Sequence, residues 1–153
     1  MSFKNTIAYI ILIIAVNYGF SVVPLVPIFG EMFPLMSLVV GLIFVARDFA
    51  QREIGHKVII AMLIAAAISY FMADPFVALA SLAAFAFSEL ADWAVYSYTK
   101  KPFKQRVLLS SILATPIDSC IFLAMIGHFS LTGAALMTVS KMIGALVVWK
   151  LVK

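Results

Sequence analysis

Apolar stretches long enough to cross a bilayer follow one another along almost the whole chain, with only short polar segments between them. A membrane-spanning helix needs roughly 20 predominantly apolar residues. Such stretches occupy residues 6–28, 34–51, 58–73, 76–98, 107–127 and 131–149. A chain of 153 residues that is 65% hydrophobic and only 12% charged is better solvated by lipid than by its own interior. The sequence therefore predicts an all-α polytopic membrane protein, with six transmembrane helices forming one domain over residues 1–153.

Lysine and arginine are distributed unevenly between the two sides of this predicted bundle. Nine of the eleven fall on one side: Lys4, Arg52, Lys57, Lys100, Lys101, Lys104, Arg106, Lys150 and Lys153. The loops of the opposite side contain Glu31, Asp74 and His128 but no lysine or arginine. Positive residues favour the cytoplasmic side, so both termini are expected in the cytoplasm. The first apolar stretch continues past Val16 without a cleavage pattern, which favours a retained helix over a signal peptide.

Ionisable side chains within the predicted spans point to function, because such groups are costly in hydrocarbon and usually face the interior of a bundle. The polar set is Asn17, Arg47, Asp48, Glu89, Asp92, Asp118 and Lys141. Its four acids outnumber its two bases, so pairing leaves two acids that are either protonated or available to a ligand rich in N–H donors. Glu89 and Asp92 are three residues apart and therefore share one face of the fourth helix.

Several of these residues have a structural interpretation as well. Arg47 lies about one turn from a helix end and can snorkel to the interface, whereas its neighbour Asp48 points about 100° away and is expected to face the cavity. Asp118 and Lys141 can form a structural ion pair between helices 5 and 6. Asn17 can act as interhelical glue. These alternatives stay open at the level of sequence.

The fifth helix carries a polar stripe of Ser111, Thr115 and Asp118, with Pro116 inside it. Proline frees a carbonyl one turn earlier, so the stripe is expected to line a kink that faces a cavity. Outside the spans, Glu53 and Lys57 are four residues apart and are expected to form an ordinary surface pair.

Three segments resemble the queuosine precursor transporter family, also labelled vitamin uptake transporters. They read "RDFAQREIGHK" after helix 2, "AFAFSELADWAVYSYTKK" through helix 4 and "SSILATPIDSCIFLAMIG" through helix 5, and Lys141 follows in the last span. The similarity covers roughly residues 35–150. It implies a six-helix importer of the bacterial inner membrane that takes up 7-cyano-7-deazaguanine or 7-aminomethyl-7-deazaguanine for salvage into tRNA modification. Some relatives have an acidic residue where this chain has Arg52, which leaves the 7-substituent open.

The chemistry of such a ring matches the polar set. A 7-deazaguanine offers N1–H, the N2 amino group and N9–H as donors and O6 as an acceptor. Glu89 or Asp92 is expected to hold the N1–H and N2–H edge, since a carboxylate accepts two parallel hydrogen bonds. Cationic or amide groups donate to O6. Asp118 takes the N9–H side or pairs with Lys141. The candidates for stacking on the ring are Trp93, Tyr96, Phe122 and Tyr18. The predicted substrate-binding residues are Glu89, Asp92, Asp118, Asp48, Arg47, Lys141, Gln51, Asn17 and Trp93.

Other classes of protein fit less well. The chain has no P-loop, catalytic Ser-His-Asp set or metal-ligand spacing, so we expect neither an enzyme nor an ATPase, with no cofactor, metal or nucleic acid. The expected partners are the lipid bilayer and a nucleobase-like small molecule. A second hypothesis is the substrate-binding subunit of an ATPase-driven vitamin importer, docked through a small-residue face at Ala61 and Ala65. A third is a structural membrane protein. The coupling ion and the oligomeric state, including a homodimer, stay open.

Overall fold

A computed structural model describes residues 3–151, and within them the side chains of residues 92, 93, 96, 97, 148 and 151 lie outside the description. The described chain forms six helices: α1 Lys4–Val22, α2 Ser37–Ile54, α3 Val58–Met72, α4 Pro75–Tyr98, α5 Phe103–Met125 and α6 Leu131–Leu151. A 3₁₀ turn, Gly55–Lys57, joins α2 to α3, and a hairpin of β1 Val26–Ile28 and β2 Glu31–Phe33 joins α1 to α2. The all-α class is confirmed, with this small hairpin as its one addition among the described residues.

Three helical segments are long and apolar enough to cross a membrane: Lys4–Val22, Ser37–Met72 (α2, the 3₁₀ turn and α3 taken together) and Phe103–Met125. Pro75–Ala91 and Leu131–Val147 are shorter apolar helical stretches. Large apolar side chains such as Ile11, Phe71 and Leu90 are exposed on the outside of the helices. Exposed apolar surface of this extent is unusual for a soluble monomer and is compatible with contact to lipid.

The first helix is shorter than predicted. It ends at Val22 instead of continuing to residue 28, because Val23, which precedes Pro24, has extended backbone angles, and neither Pro24 nor Pro27 has an N–H group to donate in a further turn. The chain then forms the hairpin, in which Val26 pairs with Phe33. Its two turn residues, Phe29 and Gly30, both have positive φ angles of 52° and 82°. This is the backbone pattern of the tight turns that suit two-stranded hairpins.

Acidic side chains hold the starts of two helices. Asp74 caps α4 by accepting hydrogen bonds at 2.9 and 3.0 Å from two backbone N–H groups of the first turn, next to Pro75. Glu53, on α2, accepts from the backbone nitrogen of Thr6 at 2.8 Å and from its hydroxyl at 2.6 Å. The predicted pairing of Glu53 with Lys57 is therefore replaced by a contact that stabilises the N-terminus of α1, where a negative charge is favourable.

The backbones of α2 and α6 touch where Gly41 meets Gly144. A methyl group on Gly41 would overlap the carbonyl oxygen of Lys141 and lie 2.9 Å from the nitrogen of Ala145. A methyl group on Gly144 would lie 2.6 Å from the carbonyl oxygen of Leu38. Such close approach needs small residues, as in many helix pairs within membranes. This crossing fixes the position of Lys141, one turn before Gly144.

We expect Gly41→Ala to lower the free energy of unfolding by about 1–3 kcal/mol, because the added methyl group forces two backbones apart. The measurement is thermal unfolding of the purified protein in detergent. Gly19→Ala on α1 is the matched control, since its methyl group would meet only the long, flexible side chain of Met36 and no backbone atom. Equal unfolding temperatures for both variants would contradict the proposed role of the crossing.

Candidate functional site

A buried cluster of Arg47, Asp48 and Glu89 joins α2 to α4, and we call it the Arg47 centre. The guanidinium group donates from Nη2 to Asp48 Oδ1 at 2.8 Å and from Nη1 to Glu89 Oε2 at 3.0 Å. Arg47 is 3% exposed and Asp48 is 8% exposed, so this charge does not snorkel to the surface. Arg47 thus binds two carboxylates at once, and a second arginine, Arg106, lines a small pocket together with Asp48.

The structure corrects the predicted geometry of the adjacent pair. Arg47 and Asp48 were expected to point about 100° apart, but the long arginine side chain reaches back to its own neighbour. Arg47 and Glu89 line the large cavity described next, whereas Asp48 lines a different, water-sized pocket beside Gln51 and Ser110. Of the adjacent pair, Arg47 therefore lines the large cavity, and Asp48 lines the smaller pocket between α2, α4 and α5.

An open cavity of about 600 Å³ lies between α2, α3 and α4, and we call it the α2–α4 cavity. Its polar lining comes from Arg47, Gln51, Glu89 and, in the 3₁₀ turn before α3, His56. The rest of the wall is apolar and includes Val58, Ile59, Met62, Leu63, Ala86 and Leu90. Small-molecule sites are typically about 300–1,000 Å³, mostly apolar, with a few well-placed polar groups. This cavity has both properties.

A second buried ion pair joins α5 to α6, and we call it the Lys141 centre. Lys141 Nζ donates to Asp118 Oδ2, and these residues are 1% and 4% exposed. Ser81 and three phenylalanines, Phe20, Phe85 and Phe122, line a pocket of about 10 Å³ beside the pair. A space of that size holds about one water molecule. The predicted pairing of helices 5 and 6 is thus present in the structure.

Phenylalanine side chains occupy the space between the two centres. On α4, Ser81, Phe85 and Glu89 follow one another at intervals of four residues, so Phe85 lies about one turn, or 6 Å, from each. Phe44 of α2 contacts Phe85 edge to face, with ring centroids 6.0 Å apart. The sequence predicts one polar cavity, whereas the described residues form two centres with an aromatic pair between them.

The remaining predicted residues are placed as follows. Gln51 lines the α2–α4 cavity. Asn17 is 2% exposed on α1, and among the described residues no hydrogen bond joins its side chain to either centre. Tyr18 is half exposed and does not line the cavity. Asp92 and Trp93 lie on α4, but their side chains, like that of Tyr96, fall outside the described part of the chain.

The hydroxyl stripe of α5 is occupied by the helix itself. Ser111 donates to the carbonyl oxygen of Val107 at 2.8 Å, Thr115 to that of Ser111 at 2.7 Å, and Ser119 to that of Thr115 at 2.7 Å. Bonds of this kind satisfy a buried hydroxyl without any ligand. Helix α5 continues through Pro116 from Phe103 to Met125. The hydroxyl groups of the stripe are therefore buried with their hydrogen bonds satisfied by their own helix. Of the predicted stripe, Asp118 is the residue that belongs to a charged centre.

Sequence reasoning missed Tyr9 of α1. This tyrosine is fully buried, and its hydroxyl group lies within electrostatic range of Glu89, Arg47 and Asp48. It lies 38 residues before Arg47 in the sequence, within an apolar run that contains no charged residue. The available signal was weak: α1 contains two tyrosines, and nothing in their sequence context distinguishes the buried one from the half-exposed one.

Comparison of the chain with models of protein families, with curated proteins and with solved structures gives no match. The resemblance of the three motifs to the queuosine precursor transporters is therefore carried forward only as a proposal.

Proposed function

We propose that this protein is an inner-membrane importer of queuosine precursors, 7-cyano-7-deazaguanine or 7-aminomethyl-7-deazaguanine, which bind in the α2–α4 cavity. One observation carries the proposal: a buried arginine and the glutamate that accepts its hydrogen bond form part of the wall of a cavity of ligand size. A neutral ring with adjacent N–H donors and a carbonyl group suits such a wall. Carboxylates accept from the donors, and the guanidinium donates to the carbonyl oxygen.

Binding requires an exchange of partners at Glu89. In the structure Arg47 Nη1 donates to Oε2 of this carboxylate at 3.0 Å. An incoming N1–H and N2–H edge takes that place, while Arg47 keeps its bond to Asp48 and turns its other nitrogen to O6. Each charged group then exchanges one strong hydrogen bond for another, so the desolvation cost of opening the pair is offset.

The proposal includes six spans with both termini in the cytoplasm and alternating access around the Arg47 centre. Six described helices of 15 to 24 residues support it. Helix α3, at 15 residues, is only about 22 Å long, and it requires thinning of the bilayer beside it. The concentration of lysine at the junction of α4 and α5 supports the orientation.

The direct test is uptake of labelled 7-cyano-7-deazaguanine by bacterial cells that cannot make it and that express this chain alone. We expect accumulation of label above that of cells with an empty vector, and recovery of the modified tRNA. Cells that fail to accumulate label despite membrane-inserted protein would contradict the proposal.

The ATPase-driven subunit receives no support from the residues that suggested it. Ala61 is 4% exposed and Ala65 is completely buried, and both pack within the apolar core shared by α1, α2 and α3. A docking face must be accessible to its partner. The predicted small-residue face therefore serves packing inside the bundle.

A further inference from the structure

An aromatic and cationic surface lies where the start of α5 meets α2 and α6, and we call it the Phe103 surface. Its members are Phe49 and Arg52 of α2, Phe103 and Lys104 of α5, and Trp149 of α6. The guanidinium carbon of Arg52 lies 4.3 Å from the centroid of the Phe103 ring, and Lys104 Nζ lies 4.6 Å from that of the Trp149 ring. Each cation is thus attracted to the electron-rich face of an aromatic ring.

Aromatic packing and a backbone hydrogen bond hold this surface together. The rings of Phe49 and Phe103 pack edge to face with their centroids 5.6 Å apart. The indole N–H of Trp149 donates to the backbone carbonyl oxygen of Lys104 at 2.9 Å. Phe49, Phe103, Lys104 and Trp149 also line one pocket of about 10 Å³. Contacts among three helices therefore fix the positions of the two cations.

The charges of Arg52 and Lys104 are not paired with a carboxylate in the part of the chain that the structure describes. The two acidic residues nearest to Arg52 in the sequence, Asp48 and Glu53, bond to other residues of α2 and α1. Both cations are exposed. A contact with an aromatic ring keeps a cation in place but, unlike an ion pair, leaves its charge uncompensated. The Phe103 surface thus presents fixed positive charge to a partner outside the chain.

This positive charge lies at the boundary between an apolar and a charged part of the molecular surface. On α6, the large apolar side chains of Ile143, Leu146 and Val147 are exposed, and Trp149 and Lys150 follow them along the helix. Tryptophan is enriched where membrane proteins pass from hydrocarbon to water. An anionic phospholipid has the same order of parts, because its apolar chains adjoin a negatively charged phosphate group.

We propose that the Phe103 surface binds the headgroup of an anionic phospholipid whose acyl chains lie against the exposed apolar side of α6. Arg52 and Lys104 bind the headgroup phosphate, and Trp149 packs against the lipid where its chains begin. A lipid matches both the charge and the adjoining apolar surface, whereas a phosphate ion in water matches only the charge. The proposal requires a bundle embedded in a membrane and is independent of what binds in the α2–α4 cavity.

The test measures which phospholipid stays bound to the protein purified in an uncharged detergent. The protein is incubated with equal amounts of phosphatidylglycerol and phosphatidylcholine that carry the same acyl chains, and the lipids retained after gel filtration are quantified by mass spectrometry. We expect the wild-type protein to retain phosphatidylglycerol in preference. Arg52→Gln/Lys104→Gln should reduce this preference roughly 25-fold, since each basic residue at a membrane surface contributes about fivefold, or about 1 kcal/mol.

Lys4→Gln/Lys57→Gln is the matched control, because it removes the same charge from two exposed lysines on the same predicted side of the bundle. It should keep the wild-type preference. Trp149→Leu keeps every charge and removes the ring under Lys104. It should lower the preference about two- to fivefold, the contribution of a cation–π contact at an exposed site. Thermal unfolding checks that each variant is folded, and substitution of exposed cations should change the unfolding temperature little.

Three results would overturn the proposal. Equal retention of the two lipids by the wild-type protein would show that the surface does not select an anionic lipid. An equal loss of preference in the two double variants would show that net charge, and not the Phe103 surface, selects the lipid. An excess of inorganic phosphate at constant ionic strength should leave phosphatidylglycerol bound, and displacement of the lipid would show that the surface binds a phosphate ion.

Discussion

Uptake of 7-cyano-7-deazaguanine should fall roughly 10- to 100-fold when Glu89 is replaced by glutamine. A hydrogen bond to a charged group contributes about 1.5–3 kcal/mol, and the glutamine side chain offers one carbonyl oxygen where the carboxylate offered two. Its amide group also places donors against the donors of the ring. Initial uptake rates in cells that cannot make the ring, corrected for the amount of protein in the membrane, provide the measurement.

Glutamine is a suitable replacement because it keeps the shape of the side chain and one acceptor for Arg47. The matched control is Glu31→Gln on the hairpin, a partly buried glutamate that lies away from both charged centres. Glu31→Gln should transport at the wild-type rate. Full uptake by Glu89→Gln would remove Glu89 from the proposed site, whatever the result for Glu31.

Replacing Lys141 with methionine should lower the free energy of unfolding by about 3–5 kcal/mol, because it leaves Asp118 buried without its cation. Both side chains are almost completely buried, so little solvent screens the loss. Thermal unfolding in detergent measures the effect. This is the largest change in stability that we expect from a single substitution in the charged centres.

The double variant Asp118→Leu/Lys141→Met separates an ion pair from two independent contributions. With both charges removed, most of the stability should return, because no unpaired charge remains in the interior. A double variant as unstable as Lys141→Met would contradict the pair. Uptake measured with this double variant then shows whether the Lys141 centre takes part in transport. Wild-type uptake would mean that the ion pair only stabilises the helix bundle.

The helical class could be predicted from the sequence because it depends on local quantities. A long apolar run can adopt only a few kinds of secondary structure, of which a helix is the usual one. The positions of Pro24 and Asp74 mark where one helix ends and another begins. The predicted end of α1, at residue 28, is too late, because the residues after Val22 are as apolar as those before it. Hydropathy does not distinguish a helix from the short hairpin that follows, whereas two prolines do.

The site was predicted in its residue types but not in its arrangement. Helical periodicity assigns each side chain to a face, yet it does not say how far a flexible side chain bends. Arg47 reaches its neighbour Asp48 for this reason, although their Cα–Cβ bonds diverge. Periodicity also gives no distance between helices. The separation of the Arg47 centre from the Lys141 centre depends on Phe85, whose place between them is a property of packing.

Tyr9 shows a further limit of the sequence. A tyrosine in an apolar helix has an amphipathic side chain, and most such residues place the hydroxyl group at an interface. Only the packed structure shows that this hydroxyl is enclosed and close to three charged groups. The three hydroxyls of α5 illustrate the opposite error, since a polar stripe that looks available is bonded to its own helix.

The contact between Phe44 and Phe85 has a consequence for the energy balance of a cell. A cell that maintains a voltage across its membrane loses energy through any continuous file of water that conducts protons. The two charged centres supply polar groups for such a file, and each has a pocket of about 10 Å³ beside it. The two pockets share no lining residue, and on α2 Phe44 lies one turn from Val40 beside one pocket and one turn from Asp48 beside the other, in contact with the ring of Phe85. If the bundle spans a membrane as proposed, we expect this aromatic pair to interrupt such a file of water and so to limit proton leak through the polar interior.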